Sequence, residues 1–145
     1  MKQIVLSLVG LLLLISLIAC GAGGQPKAGA TYSGTIDVPK DKASSAALSF
    51  KISDDGAQVT SITLSLSDLH CETMSAGSMS QSTTGQFPLS GNQINIQSDS
   101  IGEIKGKFTS GTAASGTIHI AMKNEIMGAT ILCDLGTFNW TAKAP

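Results

Sequence analysis

Apolar and polar residues alternate with a period of two along most of the chain after residue 31. Such alternation is typical of β-strands that bury one face. The clearest examples are residues 48–52 and 61–67. The Asp-Asp-Gly sequence at 54–56 between them predicts a hairpin turn, because glycine accepts a positive φ at little cost.

Further stretches continue this pattern. Phe87 and Leu89, a turn at 90–92, and then Ile94 and Ile96 predict a second hairpin. A turn at 110–112 predicts a third, and the last strand places three residues on its inner face: Phe138, Trp140 and Ala142. Since no segment after Cys20 keeps a 3.6-residue apolar period, the sequence predicts an all-β domain. We expect an antiparallel β-sandwich or small barrel of about seven to nine strands.

One interval interrupts the pattern. It spans residues 71–85, within which residues 74–80 have no clear apolar period, and we interpret residues 74–80 as a loop. The lysines that fall between apolar positions are expected to keep edge strands from pairing with other molecules: Lys51, Lys105 and Lys107.

The N-terminus has the composition of an export signal. One lysine, Lys2, precedes an apolar run at 4–19, which is shorter than the roughly 20 residues of a spanning helix. The sequence Leu17-Ile18-Ala19-Cys20 that ends the run resembles the lipobox of bacterial lipoproteins. That resemblance implies that Cys20 receives a thioether-linked diacylglycerol and becomes the mature N-terminus. The alternatives are an uncleaved anchor and a secretory signal in which Cys20 is incidental.

These observations predict three segments. Residues 1–19 are a signal peptide, residues 20–31 a lipid-anchored flexible linker, and residues 32–145 the β domain. The domain would then lie outside the cytoplasm. Its partner would be the lipid bilayer of the cell membrane or outer membrane, to which acylated Cys20 attaches it.

Charge argues against nucleic acid as a partner. The mature chain would have eight lysines, no arginine and ten acidic residues, whereas phosphate neutralisation needs clustered basic residues. Serine and threonine account for 30 of its 126 residues. We therefore expect a hydroxyl-rich surface with little charge.

Two cysteines remain once Cys20 is assigned to lipid. In an exported protein, Cys71 and Cys133 are expected to form one disulfide, which would be worth about 4 kcal/mol in the chain-entropy model. Two buried free thiols are the alternative, and a catalytic thiol is disfavoured because neither cysteine belongs to a Cys-x-x-Cys pair.

Several short motifs suggest a family likeness. They are Tyr32-Ser33-Gly34-Thr35, Ile104-Lys105-Gly106-Lys107-Phe108, Ala114-Ser115-Gly116-Thr117 and Trp140-Thr141-Ala142-Lys143, with one cysteine in each half. In these the chain resembles small secreted or lipid-anchored β modules of bacteria. The resemblance supports the all-β fold and the disulfide, and it implies no activity.

Candidate chemistry is sparse. His70, Met74 and Met79 lie close in sequence, and imidazole and thioether ligands suit copper, but both methionines can equally cover the domain from a loop. His119 is expected on the surface and Met122 in the core. Sugar recognition is disfavoured because the aromatic residues other than Tyr32 fall in the apolar phase of their strands.

Two hypotheses of function follow. The first is a membrane-anchored lipoprotein without enzymatic activity or cofactor, which either contributes to the cell envelope or binds a partner such as an envelope protein or glycan. The alternative is a small exported metal-binding protein or enzyme centred on His70.

Overall fold

The computed structural model describes residues 24–71, 74–126 and 129–145. Within these ranges the chain has no helix, which confirms the predicted all-β class. The strands are β1 (Thr31–Ile36), β2 (Ser45–Ile52), β3 (Gln58–Ser67), β4 (Leu69–Cys71), β5 (Met74–Ala76), β6 (Met79–Pro88), β7 (Gln93–Ser98), β8 (Gly102–Ser110), β9 (Ala113–Ile126) and β10 (Ala129–Lys143).

Eight of these strands form one antiparallel sheet in the order β6-β3-β2-β1-β10-β9-β8-β7. Most strands that are neighbours in the sheet follow one another in the chain. There are two exceptions: β10 pairs with β1, and the separate β4–β5 hairpin lies between β3 and β6 in the chain. The edge strands β6 and β7 are joined by a short turn, in which Ser90 and Gln93 exchange backbone hydrogen bonds. The sheet is therefore nearly closed into a barrel.

The alternating sequence accounts for the best-predicted hairpin. Leu48, Phe50 and Ile52 are buried on β2, and their partners on β3 are buried as well. The turn between the two strands contains Gly56 with φ +74°, as its Asp-Asp-Gly sequence predicts.

The prediction for the second hairpin is wrong beyond its turn. Past Ser90 and Gln93, β6 pairs with β3 and β7 pairs with β8. The predicted loop at 74–80 is also wrong, because it contains β5 and the first residues of β6. We call the gap between the edge strands β6 and β7 the seam of the barrel. The inner face of β6 lies beside this seam and carries half-buried glutamine and threonine, so β6 does not show the alternation of apolar and polar residues.

The lysines expected on edge strands lie elsewhere. Lys51 is on β2, and Lys105 and Lys107 are on β8, both strands with neighbours on each side. The two edge strands fall instead within residues 73–98, a stretch of the sequence that contains no charged residue.

An aromatic cluster fills the barrel. The Tyr32 and Phe50 rings are stacked with centroids 5.2 Å apart, and Phe108 and Trp140 contact this pair edge-on. Tyr32 has no exposed surface. It is therefore part of the core and is not available as a platform for sugar binding.

The barrel has two different ends. We call the tether end the one formed by residues 24–30 and the turns at 53–57, 89–92 and 110–112. The distal end is formed by residues 37–44, the β4–β5 hairpin, the turn at 99–101 and the outer part of the β9–β10 hairpin.

Candidate functional site

The first described residues lie across the tether end. The backbone N–H of Gly29 donates to Ser53, and that of Ile52 donates to Ala30. Gly24 touches the turn after β8 so closely that a Cβ built on it would fall 2.1 Å from the Ser110 Cα. Residues 24–31, which the sequence assigned to a linker, are thus held against the barrel.

The Tyr32 hydroxyl group holds residues 24–30 on the tether end through two hydrogen bonds. It accepts a hydrogen bond from the Lys27 backbone N–H at 2.9 Å and donates one to the Gly111 carbonyl at 2.6 Å. The Lys27 amine also donates to a Pro145 backbone oxygen. The N-terminal segment, the turn after β8 and the last residues of the chain therefore meet at one point.

The distal end carries two hairpins that extend beyond the eight-stranded part of the barrel wall. One is β4–β5. The other is the outer part of the β9–β10 hairpin, residues 121–134, which we call the arm. Its six cross-strand pairs extend past the last pairs with β8 and β1, at Ile120 and Trp140. Six pairs correspond to about 20 Å of strand.

A disulfide joins these two hairpins, as the sequence predicted. Cys71 on β4 and Cys133 on the arm have Cα atoms 5.6 Å apart. Cys133 and its cross-strand partner Met122 are buried, as Met122 was predicted to be. The next pair along, Leu132 and Lys123, is exposed, and Leu132 at 70% is the most prominent apolar side chain on the described surface. The bond therefore fixes which face of the arm meets solvent.

Lys42 covers the distal mouth of the barrel. Its amine donates to the Leu135 carbonyl and lies 5.8 Å from the centre of the Phe138 ring, at cation–π distance. Beside it is an open groove of about 280 Å³ with six lining residues: Asp41, Lys42, His70, Cys71, Asp134 and Leu135.

His70 is exposed on β4, and its backbone N–H donates to the Lys42 carbonyl at 2.8 Å. The strand register places Ser75, and not Met74, opposite His70, whereas Met79 begins β6 and packs against the core. Among the described residues, the structure contains no group of three or more histidine, cysteine or acidic residues arranged for a metal. Copper binding at these residues stays a prediction.

A polar cluster that the sequence pattern did not predict lies on the outer face of β8, β9 and β10. His119 is half-exposed there. Its Nδ1 is 3.1 Å from the Thr137 hydroxyl, and its Nε2 is 3.5 Å from Asp134. Glu103 lies opposite His119 in the register and pairs with Lys105 at 2.7 Å. The cluster forms because strand pairing and the bulge between Asp134 and Gly136 bring together residues far apart in sequence.

Two surface carboxylates are shifted in pKa. The hydrogen bond from Lys105 lowers the pKa of Glu103, with a smaller contribution from the charge of His119. In the turn after β2, hydrogen bonds from the Ser53 hydroxyl and the Ala57 backbone N–H lower the pKa of Asp55. Asp55 is exposed and Glu103 is half-buried, and both carboxylates are already held by hydrogen-bond partners in the protein. We therefore assign them a role in local structure.

The predicted lipidation residue, Cys20, and the signal peptide lie outside the described residues. Comparison of the chain with protein-family models, curated proteins and solved structures gives no match.

A helix long and apolar enough to cross a membrane does not occur within the part of the chain that the structure describes.

Proposed function

We propose that this chain is an exported lipoprotein whose barrel is a non-enzymatic binding module of the bacterial cell envelope. The Cys71–Cys133 disulfide carries the proposal. Disulfides persist in exported proteins and are rare in the reducing cytosol. The bond therefore agrees with the export signal and the lipobox-like sequence that ends at Cys20.

The position of the disulfide supports a role in recognition. It lies beyond the last pairs of β9 with β8 and of β10 with β1, and it ties the β4–β5 hairpin to the arm. A constraint of this kind lowers the entropic cost of presenting a surface to a partner. We infer that the distal end is the binding surface and that the barrel is its scaffold.

A protein partner fits this surface better than a glycan does. Glycan sites on β domains use exposed aromatic platforms, but Tyr32, Phe50, Phe108 and Trp140 are buried. The distal end exposes Leu132 instead, in a groove of about 180 Å³ whose lining includes the oppositely charged Lys123 and Asp134. An exposed leucine within a polar rim is typical of a protein contact.

Affinity capture from detergent-solubilised membranes with the tagged full-length lipoprotein would test the proposal. We expect an envelope protein that is retained by the wild type and reduced in the Leu132→Ser and the double Cys71→Ser, Cys133→Ser variants. Thr112→Ser, at the tether end, is the matched control. A partner set that is identical for all four proteins would contradict a distal binding surface.

A further inference from the structure

We propose that the tether end of the barrel rests on the membrane and contacts anionic lipid headgroups, so that the distal end points away from the bilayer. This inference rests on the proposed acylation of Cys20 and goes beyond it, because it assigns a lipid-facing surface to named residues of the folded domain.

The first support is the length of chain between the anchor and the barrel. Gly24 lies against Ser110, so only residues 21–23 separate the predicted acylated residue from a point fixed on the tether end. Four steps of fully extended chain span at most about 14 Å. A linker that short cannot let the barrel turn over, since its strands alone are about 20 Å long.

The second support is the distribution of charge, which is independent of the linker. Four exposed lysines lie at or next to the tether end, against two aspartates, Asp54 and Asp55. They are Lys27, Lys51, Lys107 and Lys143. Lys107 and Lys143 are each paired with a residue beside the turns, and Lys51 is paired with Thr31, the first residue of β1.

The rest of the barrel has the opposite balance. Among the described side chains it carries six carboxylates against four lysines. The carboxylates are Asp37, Asp41, Asp68, Asp99, Glu103 and Asp134, and the lysines are Lys40, Lys42, Lys105 and Lys123. Basic residues near an anionic lipid surface are attracted to it, and acidic residues are repelled. Charge and tether therefore favour the same orientation.

Depth-dependent quenching tests the orientation on the acylated full-length protein. One exposed hydroxyl residue at each end, Thr112 or Ser45, is changed to cysteine and labelled with a fluorophore without reductant, which keeps Cys71 and Cys133 joined. The protein is reconstituted in phosphatidylcholine vesicles with and without phosphatidylglycerol, and a fraction of the lipids carries a headgroup quencher.

We expect loss of most of the fluorescence of the label at residue 112 and little loss for the label at residue 45. Phosphatidylglycerol should widen this difference, and Lys51→Gln with Lys107→Gln should cancel that widening. Inserting about ten glycine and serine residues after Gly23 should reduce the difference by freeing the tether. Equal quenching of both labels in acylated, vesicle-bound protein would overturn the orientation and leave the proposed lipoprotein intact. Absence of the acyl mass on Cys20 would overturn both.

Discussion

The indole ring of Trp140 lies directly against the backbone of Gly106. A Cβ built on Gly106 would fall 2.5 Å from Cζ2 of the indole, and Gly116, its cross-strand neighbour, faces Trp140 in the next ladder. The indole N–H donates to the carbonyls of Lys105 and Thr117, which form the next cross-strand pair beside the two glycines. The glycines thus form a recess for the largest side chain in the core.

Gly106→Ala should therefore destabilise the barrel. The added methyl group must displace the indole and weaken its two hydrogen bonds, and overpacking of this kind costs about 1–3 kcal/mol. Chemical denaturation followed by Trp140 fluorescence measures the loss. Gly77→Ala is the control, because a Cβ at Gly77 meets nothing within 4 Å. Equal stability of the two variants would show that the recess does not constrain Trp140.

Reduction of the Cys71–Cys133 bond should lower the melting temperature by less than its full entropic value. The chain-entropy model gives about 4 kcal/mol for a loop of this length. However, the bond ties the β4–β5 hairpin to the arm, beyond the eight-stranded part of the barrel wall. We expect both hairpins to gain freedom in the reduced native state. We therefore expect reduction to remove about half of the entropic stabilisation. This loss lowers the melting temperature by roughly 6–12 °C for a domain of this size.

Calorimetry of oxidised and reduced protein measures that shift, and hydrogen exchange locates it. Faster exchange should be confined to β4, β5 and the arm. A reduced protein in which β2 and β3 exchange as fast as the arm would contradict the assignment of the disulfide to the distal surface.

The ionised Asp55 carboxylate should stabilise the folded protein, and acid should abolish this stabilisation. Its pKa is lowered in the folded protein, so its stabilising effect is present above its unfolded value of about 3.8 and is lost as pH falls through the lower, folded value. The difference in melting temperature between wild type and Asp55→Asn should be largest at neutral pH and vanish in strong acid. Asp54→Asn removes the same charge from the same turn and serves as control. A difference that does not vary with pH would contradict the assignment.

The strand pattern was predictable where burial is complete, and the errors arose where it is not. Residues 48–52 and 61–67 alternate cleanly because one face is in the core and the other in solvent. On β6, the inner face lies along the seam of the barrel, so Gln81 and Thr83 replace apolar residues and the period disappears. Local sequence also cannot show that two strands joined by a tight turn, β6 and β7, become opposite edges of one sheet, because that follows from the closure of all eight strands.

The sequence was sufficient to predict the disulfide of the candidate site, but not the position of that disulfide in the fold. Two cysteines in a chain predicted to be exported were enough to predict the disulfide. They did not show that Cys133 lies on a part of β10 beyond its pairing with β1. Likewise, His119 could be placed on the surface from its neighbours, whereas its contacts with Thr137 and Asp134 depend on strand register and a bulge.

Changing Cys20→Ser should abolish acylation and leave unprocessed precursor. A serine hydroxyl cannot form the thioether that the lipobox-like sequence predicts. Mass spectrometry of the N-terminus and detergent partitioning of whole cells measure the result. Cys71→Ser is a control that changes a cysteine without touching the signal. Normally processed, detergent-partitioning Cys20→Ser protein would contradict the lipoprotein prediction.

Tyr32→Phe should release the N-terminal segment from the tether end while keeping the aromatic core. The ring still stacks on Phe50, but the Lys27 N–H and the Gly111 carbonyl lose their shared partner. Leaving such groups unpaired costs about 1–3 kcal/mol. We expect lower stability together with faster hydrogen exchange at residues 27–30, measured by mass spectrometry.

Ser33→Ala, an exposed change on the same strand, should alter neither property. If residues 27–30 stay protected in Tyr32→Phe, the hydroxyl is not what holds the segment. The short tether would then depend on the contact between Gly24 and Ser110 and on the backbone bonds of Gly29 and Ala30.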